Sequence, residues 1–334
     1  MAHSATAKKQ QYKVVNLFID GEFRPALDGH FFERLNPSTQ LPACYVADGN
    51  KRDAQQMVFA ATRSFESWAS LSLEARIHIF QQAKQLLPSF SERIANAMRN
   101  EIGATNDWIH FNLKVCIDVI DAAIDLAQKH PINTPSKMSN DGYQLRQPAG
   151  ICLAIAPWNA PIALGMRAII FPLIFGNTVI FKASDMSPET HLLIAELLHA
   201  AGLPAGVLNV INNAPEQSED VIRFLISSPA IRRINFTGST RVGRIIAGMA
   251  AQNLKRCLLE LGGKSPAIIL QDADLEQACD AVIHGAFLNQ GQICMATDRI
   301  IVEQAIADDV TTLLVEKAKK LQAQSPNHKD CKLG

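Results

Sequence analysis

The sequence of 334 residues has no excess of charge of either sign. Lys plus Arg and Asp plus Glu number 32 each, so the formal net charge at pH 7 is +0. A neutral balance gives no support for binding to nucleic acid or to an acidic membrane surface. Apolar residues make up 48% and charged residues 19% of the chain. The composition therefore predicts an ordinary globular protein with a sizeable core, no nucleic-acid partner and no membrane partner.

Cysteines at metal-binding or redox spacing are also missing. The seven cysteines are scattered and odd in number, and no two of them are spaced C-x-x-C. This argues against a disulfide scaffold and against a zinc site, so no metal is predicted. Reduced thiols are typical of a cytoplasmic enzyme. Cys152, Cys257 and Cys279 lie in apolar or amphipathic stretches and are predicted to pack in the core, whereas Cys331 is predicted to be exposed near the chain end.

The N-terminal stretch MAHSATAKKQQYK is polar and lacks the apolar segment of a secretory signal, and we interpret residues 1–12 as a flexible tail. The most apolar long stretch, residues 162–181, is interrupted by Arg167, Pro172 and a Gly176-Asn177 turn. These interruptions predict a buried helix followed by a buried strand and argue against a membrane span.

Neither common phosphate-binding fingerprint is present. Residues 238–244, GSTRVGR, have two glycines at P-loop spacing, but Arg244 stands where that motif needs Lys. The dinucleotide fingerprint G-x-G-x-x-G is absent as well. What remains is a predicted strand, then Gly238-Ser239, then a predicted helix. A helix N-terminus of this kind can hold a pyrophosphate, although a serine that only caps a helix gives the same pattern.

The apolar periodicity predicts an α/β fold. The stretch LFIDGEF, with Asp-Gly between apolar arms, predicts a hairpin, and residues 51–129 predict three amphipathic helices. After Gly150, short apolar strands alternate with helical stretches at 161–174, 188–201, 217–227 and 239–252. This alternation is typical of a doubly wound, Rossmann-like parallel sheet. A second α/β domain is predicted to start near residue 261, and the polar residues 128–148 predict an extended hairpin arm.

Three polar side chains stand at the ends of predicted strands or loops. Asn159 in APWNAP follows a buried strand, Glu260 in LELGGK ends another, and Cys294 in NQGQIC follows a glycine turn. A thiol, a carboxylate and an amide are the groups needed for covalent catalysis at a carbonyl. An isolated cysteine is more often a small core residue. The presence of Asn159 and Glu260 favours the catalytic interpretation of Cys294.

These motifs together resemble the aldehyde dehydrogenase superfamily, and most of all its branch acting on aromatic aldehydes such as salicylaldehyde and vanillin. The resemblance covers the chain from about residue 15 to its end. It is carried by Pro157-Trp158-Asn159, Lys182, Phe236-Thr237-Gly238-Ser239 through Gly243, Glu260-Leu261-Gly262-Gly263, and Phe287 through Cys294.

The resemblance implies oxidation of an aromatic aldehyde to the carboxylic acid with NAD. Cys294 is the implied nucleophile, and the thiohemiacetal oxyanion is stabilised by the Asn159 amide and the Cys294 backbone N–H. Hydride transfer to the nicotinamide then leaves a thioester. Glu260 is the implied general base for the water that hydrolyses the thioester.

The resemblance also implies the cofactor contacts. Lys182 matches the family lysine that meets the adenosine ribose, and Asp185 stands where many NAD-using members carry Glu. A carboxylate accepts the ribose 2′-hydroxyl and repels a 2′-phosphate, so NAD is favoured, while the shorter side chain leaves NADP as an alternative. The other implied contacts are Ile155, Pro157, Trp158, Thr237, Gly238, Ser239, Gly243 and Leu261.

The implied substrate pocket contains Ala160, Leu164, Arg167 and Ile293. Ala160 is small and leaves space for an aromatic ring. Arg167 lies in an otherwise apolar helix and needs a partner. Two interpretations stay open at this point, namely that Arg167 binds a hydroxyl or carboxylate of the substrate, or that it forms a salt bridge with a buried carboxylate.

Domain boundaries and assembly follow from the same resemblance. Residues 13–127 and 149–260 would form the dinucleotide-binding domain, residues 128–148 an arm for oligomerisation, and residues 261–334 the N-terminal part of the catalytic domain. The full-length protein would be a homodimer or homotetramer. The family's later E-x-F-G-P motif and C-terminal strand are absent, so the chain is expected to be C-terminally truncated.

Two alternatives to the dehydrogenase remain. The first is a truncated form without turnover that binds a cofactor or a partner. The second is an acylating relative that resolves the thioester with coenzyme A. Glu260 argues against the second alternative, because hydrolysis needs a base that activates water.

Overall fold

The computed structural model describes residues 12–139 and 142–334, so the expected tail lies, apart from Tyr12, outside the described residues. The described part of the chain begins with five short strands: β1 Val14–Val15, β2 Leu17–Ile19, β3 Glu22–Arg24, β4 Phe31–Leu35 and β5 Pro42–Ala47. Strands β2 and β3 form the predicted antiparallel hairpin. Its turn residues Asp20 and Gly21 both have positive φ, 57° and 83°, as a tight hairpin turn requires.

The three amphipathic helices predicted between residues 51 and 129 are confirmed as α1 Lys51–Ser70, α2 Leu73–Ile102 and α3 Asn106–Lys129. Asn50 begins α1 with a reciprocal capping box to Asp53. Gly103 ends α2 in the left-handed conformation, with φ of 64°, and Thr105 then caps α3. The short linkers place α2 and α3 side by side. They are followed by an exposed antiparallel hairpin, β6 Ser136–Lys137 with β7 Tyr143–Gln144.

The strand–helix alternation predicted after Gly150 is also confirmed. Four helices, α4 Pro161–Ile174, α5 Pro188–Ala200, α6 Pro215–Ser227 and α7 Thr240–Gln252, connect five parallel strands. The strands are β8 Ile151–Ile155, β9 Thr178–Lys182, β10 Leu208–Ile211, β11 Ile231–Thr237 and β12 Arg256–Glu260. The order across the sheet is β12-β11-β8-β9-β10, and the hairpin β2-β3 continues it antiparallel. This is a doubly wound sheet of the Rossmann type.

The sheet is covered on both faces, which explains its near-continuous apolar strands. Every residue of β8, β9 and β10 is buried. One core cluster joins the sheet to α2, α3, α4 and α5, and a second joins its other face to α1, α6 and α7. Among the described residues, no helix combines the length and the apolar character that a membrane crossing requires.

The last part of the chain forms a small α/β unit. Strands β13 Ser265–Ile269 and β14 Thr297–Val302 pair in parallel and are accompanied by helices α8 Leu275–Phe287 and α9 Ala307–Lys319. Their own core is small, with Ile269, Cys279, Val282 and Val310 fully buried. Apolar side chains on β12, β13 and β14 remain exposed, among them Leu258, Ile268 and Ile301.

Cys152 and Cys279 are buried as predicted, and Cys257 is half-buried in β12. The prediction that Cys331 is exposed is wrong, because this residue is buried. The end of the described chain folds back through a bridge between Ala323 and Leu333. The Cys331 thiol lies 3.3 Å from the Leu333 carbonyl oxygen within this fold-back, which proximity to a chain end does not predict.

Candidate active site

A cleft opens at the carboxyl ends of the parallel strands, where the strand order reverses. Strand β8 lies between β11 and β9, so the loops after β8 and β11 leave the sheet in opposite directions. Open α/β sheets bind ligands at such a switch point. The cleft has a volume of about 520 Å³, and eight of the predicted cofactor residues line it: Ile155, Pro157, Trp158, Lys182, Asp185, Thr237, Gly238 and Ser239.

The loop after β9 brings a cation and a carboxylate into this cleft. Lys182 is the last residue of β9 and is almost completely buried. Burial lowers the pKa of Lys182, and the neighbouring Asp185 carboxylate partly opposes this effect. The Lys182 ammonium group has no hydrogen-bonded partner in the described part of the chain, and burying a cation in this way costs free energy. A polar ligand that accepts hydrogen bonds would satisfy it.

The opposite wall is the N-terminus of α7. Ser239 caps this helix, with its hydroxyl oxygen accepting a hydrogen bond from the Val242 N–H at 3.3 Å. The first turn of a helix leaves further N–H groups without intrahelical partners, and the helix dipole favours an anion there. Arg241 in the same turn also lines the cleft. This wall suits the negative charge of a pyrophosphate.

Two predicted cofactor residues lie outside this cleft. Gly243 is buried in α7, and a Cβ there would lie 2.6 Å from the Cδ2 atom of Leu261. Leu261 lines the adjoining cavity instead. In this structure Gly243 therefore permits close packing of α7 against the loop after β12.

The adjoining cavity, of about 370 Å³, brings together the three predicted catalytic residues. Asn159, Glu260 and Cys294 all line it, although they are far apart in the sequence. Pro157, Trp158, Thr237, Gly238 and Ser239 line both this cavity and the cleft. The two spaces are therefore neighbours, and a ligand in the cleft can reach the cavity.

Cys294 differs from the other six cysteines in its surroundings. All seven lie within the described residues, all are free, and only Cys294 is exposed. Burial raises the pKa of Cys116 and of Cys152 to about 12, and it also raises the pKa of Cys44, Cys257 and Cys279. The raised pKa holds these buried and half-buried thiols in the unreactive protonated form.

A strained turn presents Cys294 to the cavity. Asn289, Gln290 and Gly291 have φ of 49°, 57° and 70°, so three consecutive residues are left-handed. Two of them are not glycine, and such backbone strain often occurs at functional sites. No described residue accepts a hydrogen bond from the Cys294 N–H. This N–H group is free to donate to a ligand.

The Asn159 loop and the cysteine turn are bonded to each other. The Asn159 Nδ2 group donates to the Gln292 carbonyl at 2.8 Å, which uses one of its two N–H bonds. The backbone carbonyl of Asn159 accepts in return from Asn289 Nδ2 at 3.3 Å and from Trp108 Nε1 at 2.7 Å. These bonds fix the amide beside Cys294 and leave its second N–H for a ligand.

Glu260 ends β12, where it pairs with Thr237 of β11. Its backbone carbonyl accepts from the Gly238 N–H at 3.0 Å, so the strand end is held in place. Its side chain is exposed on the cavity wall. Within residues 12–139 and 142–334 no hydrogen bond to this carboxylate is formed, which leaves it accessible to water.

The predicted substrate residues separate into two groups. Leu164 and Ile293 line the catalytic cavity, and Ala160 is buried at the start of α4. Arg167 is exposed and lines a different cavity, together with Phe171 and Arg256. Arg167 has no ion pair in the described part of the chain, so the salt bridge to a buried carboxylate, one of its two open interpretations, is not formed.

Several residues of the site were missed by the sequence analysis. Trp108 and Asn289 hold the Asn159 loop, and Arg241 faces the cleft. Apolar residues of α6 and α7, Ile222, Ile245, Ile246 and Met249, also line the cleft. Burial of a polar residue such as Asn289 would have marked it as part of the site, but apolar periodicity in the sequence does not reveal which polar residues are buried.

Comparison with known proteins agrees with this geometry. The chain matches the sequence profile of the Aldehyde dehydrogenase family over residues 23–334. It is 45% identical over 323 residues to the vanillin dehydrogenase of Pseudomonas fluorescens, covering 96% of this chain and 67% of that protein. The crystal structure of a salicylaldehyde dehydrogenase from Pseudomonas putida G7, complexed with salicylaldehyde, superposes with a TM-score of 0.92 at 41% identity, covering 96% of this chain and 67% of that chain.

A mutant of aldehyde dehydrogenase C from Pseudomonas syringae, solved with NAD+ and octanal, gives a TM-score of 0.89 at 32% identity, covering 96% of this chain and 65% of that chain. The chain spans about two thirds of its curated relatives, between 65% and 67% for four of them. The profile match extends over the nucleotide cleft and the cavity of Cys294, and on this evidence the chain belongs to the aldehyde dehydrogenase family.

Proposed function

We propose that this chain carries the nucleophile, base and oxyanion donor of an NAD-dependent dehydrogenase that oxidises aromatic aldehydes to carboxylic acids. One observation carries the proposal: Asn159, Glu260 and Cys294 line one cavity that shares a wall with the nucleotide cleft. A thiol, an N–H donor and a carboxylate around one space are the groups that thioester chemistry at a carbonyl needs.

The proposed reaction uses each group once. The Cys294 thiolate attacks the carbonyl carbon, a C–S bond forms, and the carbonyl electron pair moves to oxygen. The free N–H of the Asn159 amide and the N–H of Cys294 stabilise that oxyanion. The nicotinamide cofactor, when bound, supplies the hydride acceptor. Loss of hydride from the former carbonyl carbon to this acceptor leaves the Cys294 thioester. Glu260 then takes one proton from water as the water oxygen adds to the thioester carbon. Breakage of the C–S bond releases the Cys294 thiolate and the carboxylic acid, and the acid gives its remaining proton to solvent to become the carboxylate.

The cleft supports a nicotinamide dinucleotide as the cofactor. The buried cation of Lys182, the N-terminus of α7 and the Arg241 side chain match the anionic and polar parts of such a molecule. The Asp185 carboxylate suits a ribose 2′-hydroxyl and repels a 2′-phosphate, which favours NAD over NADP. The nearby apolar residues of α6 and α7 offer a surface for the adenine ring.

An aromatic substrate is supported by the lining of the cavity and by the relatives. Trp158, Leu164 and Ile293 contribute apolar walls, and the small Ala160 is buried next to Asn159 in the chain. Two curated relatives, at 45% and 44% identity, are named for vanillin and salicylaldehyde. For Arg167, which lines the neighbouring cavity, we propose recognition of a polar substituent of the substrate.

For the larger assembly, we propose residues 13–127 and 149–260 as the dinucleotide-binding domain and residues 261–334 as part of the catalytic domain. The exposed hairpin within residues 128–148 is proposed as an oligomerisation arm, in a homodimer or homotetramer. A cytoplasmic location is supported by seven free thiols.

Turnover with vanillin and salicylaldehyde, followed by NADH absorbance, tests the proposal. We expect Cys294→Ala to lower the rate by at least roughly 10³-fold, and Cys279→Ala, which changes a buried thiol in another cluster, to leave the rate close to that of the wild type. The acid should form without coenzyme A. Activity retained by Cys294→Ala, or acid formed only with coenzyme A, would contradict the proposal. Cofactor binding with no turnover would favour the non-catalytic alternative.

A further inference from the structure

His191 is a fully buried polar side chain behind the cofactor cleft. It lies in the first turns of α5, and its Nδ1 atom accepts a hydrogen bond from the Ser184 N–H at 3.0 Å. Ser184 lies between Lys182 and Asp185 and lines the cleft with them. The bond therefore reaches the backbone of the short segment that presents the cation and the carboxylate.

The ring also faces the start of α4. Because Nδ1 accepts a hydrogen bond, the proton of a neutral imidazole resides on Nε2. The Nε2 atom is buried and makes no hydrogen bond to a described residue, and the Pro161 backbone lies near the ring. Burial, helped by the nearby Lys182 cation, lowers the pKa of His191 to about 3. The ring is therefore neutral near pH 7, and its Nδ1 atom stays an acceptor.

Packing holds the ring in one orientation. It packs against Phe181 in an edge-to-face arrangement, with centroids 4.9 Å apart and planes at 72°. Gly165 of α4 leaves the necessary space, since a Cβ there would lie 3.2 Å from the His191 Cδ2 atom. The helix itself is anchored by Glu101 of α2, whose carboxylate accepts from the N–H groups of Glu189 and Thr190 at 2.6 and 3.0 Å.

We propose that His191 is a positioning residue that holds the segment from Lys182 to Asp185 in the shape that binds the adenosine ribose. The inference rests on the proposed function, in which the cleft binds a dinucleotide. The hydrogen bond from the Ser184 N–H to His191 acts at the adenosine end of the cofactor. Its loss should therefore weaken binding of the adenosine half and leave binding of the nicotinamide half unchanged.

Two substitutions of the same shape separate the hydrogen bond from packing. Asn and Leu have similar outlines, but only Asn keeps an acceptor near the Ser184 N–H. We expect His191→Leu to weaken the binding of AMP and NADH by about tenfold, the effect of one buried hydrogen bond, and His191→Asn to stay within roughly threefold of the wild type. Binding is measured by calorimetry for AMP and by fluorescence for NADH. His78→Leu, on an exposed position of α2, is the matched control and should bind as the wild type does.

Binding of nicotinamide mononucleotide tests whether a loss of affinity is confined to the adenosine half of the cleft. Its affinity should be the same in the wild type and in the three variants. Unchanged AMP affinity in a folded His191→Leu, or equal losses in His191→Leu and His191→Asn, would overturn the inference. If the wild type binds neither AMP nor NADH, the proposed function itself fails, and this inference fails with it.

If His191→Leu does not fold, nitrogen NMR of the wild type decides the question. The inference expects a neutral His191 ring with its proton on Nε2 between about pH 5 and about pH 8, and a shift of the Ser184 amide signal when AMP binds. A proton on Nδ1, or a Ser184 signal that AMP leaves unmoved, would overturn it.

Discussion

At the scale of single residues, the surroundings of a side chain decide whether it is reactive. Six cysteines are buried or half-buried, and for five of them burial raises the pKa. Cys294 has the same thiol, but it is exposed beside an amide N–H and a carboxylate. Residue type alone does not distinguish these seven groups, whereas access to solvent does.

This contrast predicts selective alkylation. Iodoacetamide at about pH 8 should modify Cys294 first in the folded chain, because alkylation needs an accessible thiolate. The other six cysteines should react at comparable rates only after denaturation. Peptide mass spectrometry over time measures the site and rate, with Cys294→Ala as the control that should lose the fast phase. A second cysteine that reacts as fast in the native chain would contradict the prediction.

At the scale of elements, the site is assembled from the ends of strands and helices. Strands β8, β9 and β12 end at Ile155, Lys182 and Glu260, and helix α7 begins at Thr240. Polar groups of the site lie at or next to three of these ends, namely Lys182, Ser239 and Glu260. Helix α5 depends on another element for its first turn, because Ser187 makes no side-chain cap and Glu101 of α2 takes that role.

The buried carboxylate of Glu101 predicts a pH-dependent stability. Burial raises the pKa of Glu101 to about 8, above its ordinary value of 4.5. At a pH between these two pKa values, the Glu101 carboxyl is protonated in the folded state and ionised in the unfolded state. The contribution of Glu101 to the free energy of unfolding is therefore complete below about pH 4.5 and is lost as the pH rises to about 8.

Thermal unfolding between about pH 5 and about pH 8 checks this. The midpoint of the wild type should fall across the range by several degrees more than that of Glu101→Gln, which cannot titrate. Glu92→Gln, at an exposed position of the same helix, should follow the wild type. Parallel curves for the wild type and Glu101→Gln would show that Glu101 is already ionised at the low end of the range.

At the scale of the whole molecule, the two ends of the sheet differ. The hairpin β2-β3 covers the edge beyond β10, while β12 forms the other edge and has exposed apolar residues. The exposed apolar residues of β13 and β14 add to this surface. An open edge strand next to apolar surface favours association with another chain.

A charge on this edge should reduce self-association. Leu258 of β12 is 61% exposed, and Leu41, in the β4–β5 turn, is 60% exposed. We expect Leu258→Lys to raise the concentration at which light scattering appears by at least roughly twofold, because a charge on an edge strand opposes pairing. Leu41→Lys adds the same charge away from the edge and should have little effect. Equal effects of both substitutions would attribute the change to net charge alone.

Periodicity and motif order in the sequence determined the elements and the family. Apolar spacing predicted the three helices of residues 51–129 and the parallel sheet after Gly150, because buried helices and strands leave repeats of different length. The residue types at strand ends also singled out Asn159, Glu260 and Cys294 as the candidate site.

The tertiary structure alone decided which side chains share a space. Leu164 and Arg167 are three residues apart on α4, yet they line different cavities. Asn289 is held by a hydrogen bond to Asn159, which is distant in the sequence, and His191 is held by a hydrogen bond from Ser184 across a turn. Cys331 is buried because the chain folds back on itself. Contacts of this kind depend on how elements distant in the sequence pack together, and local residue patterns do not predict that packing.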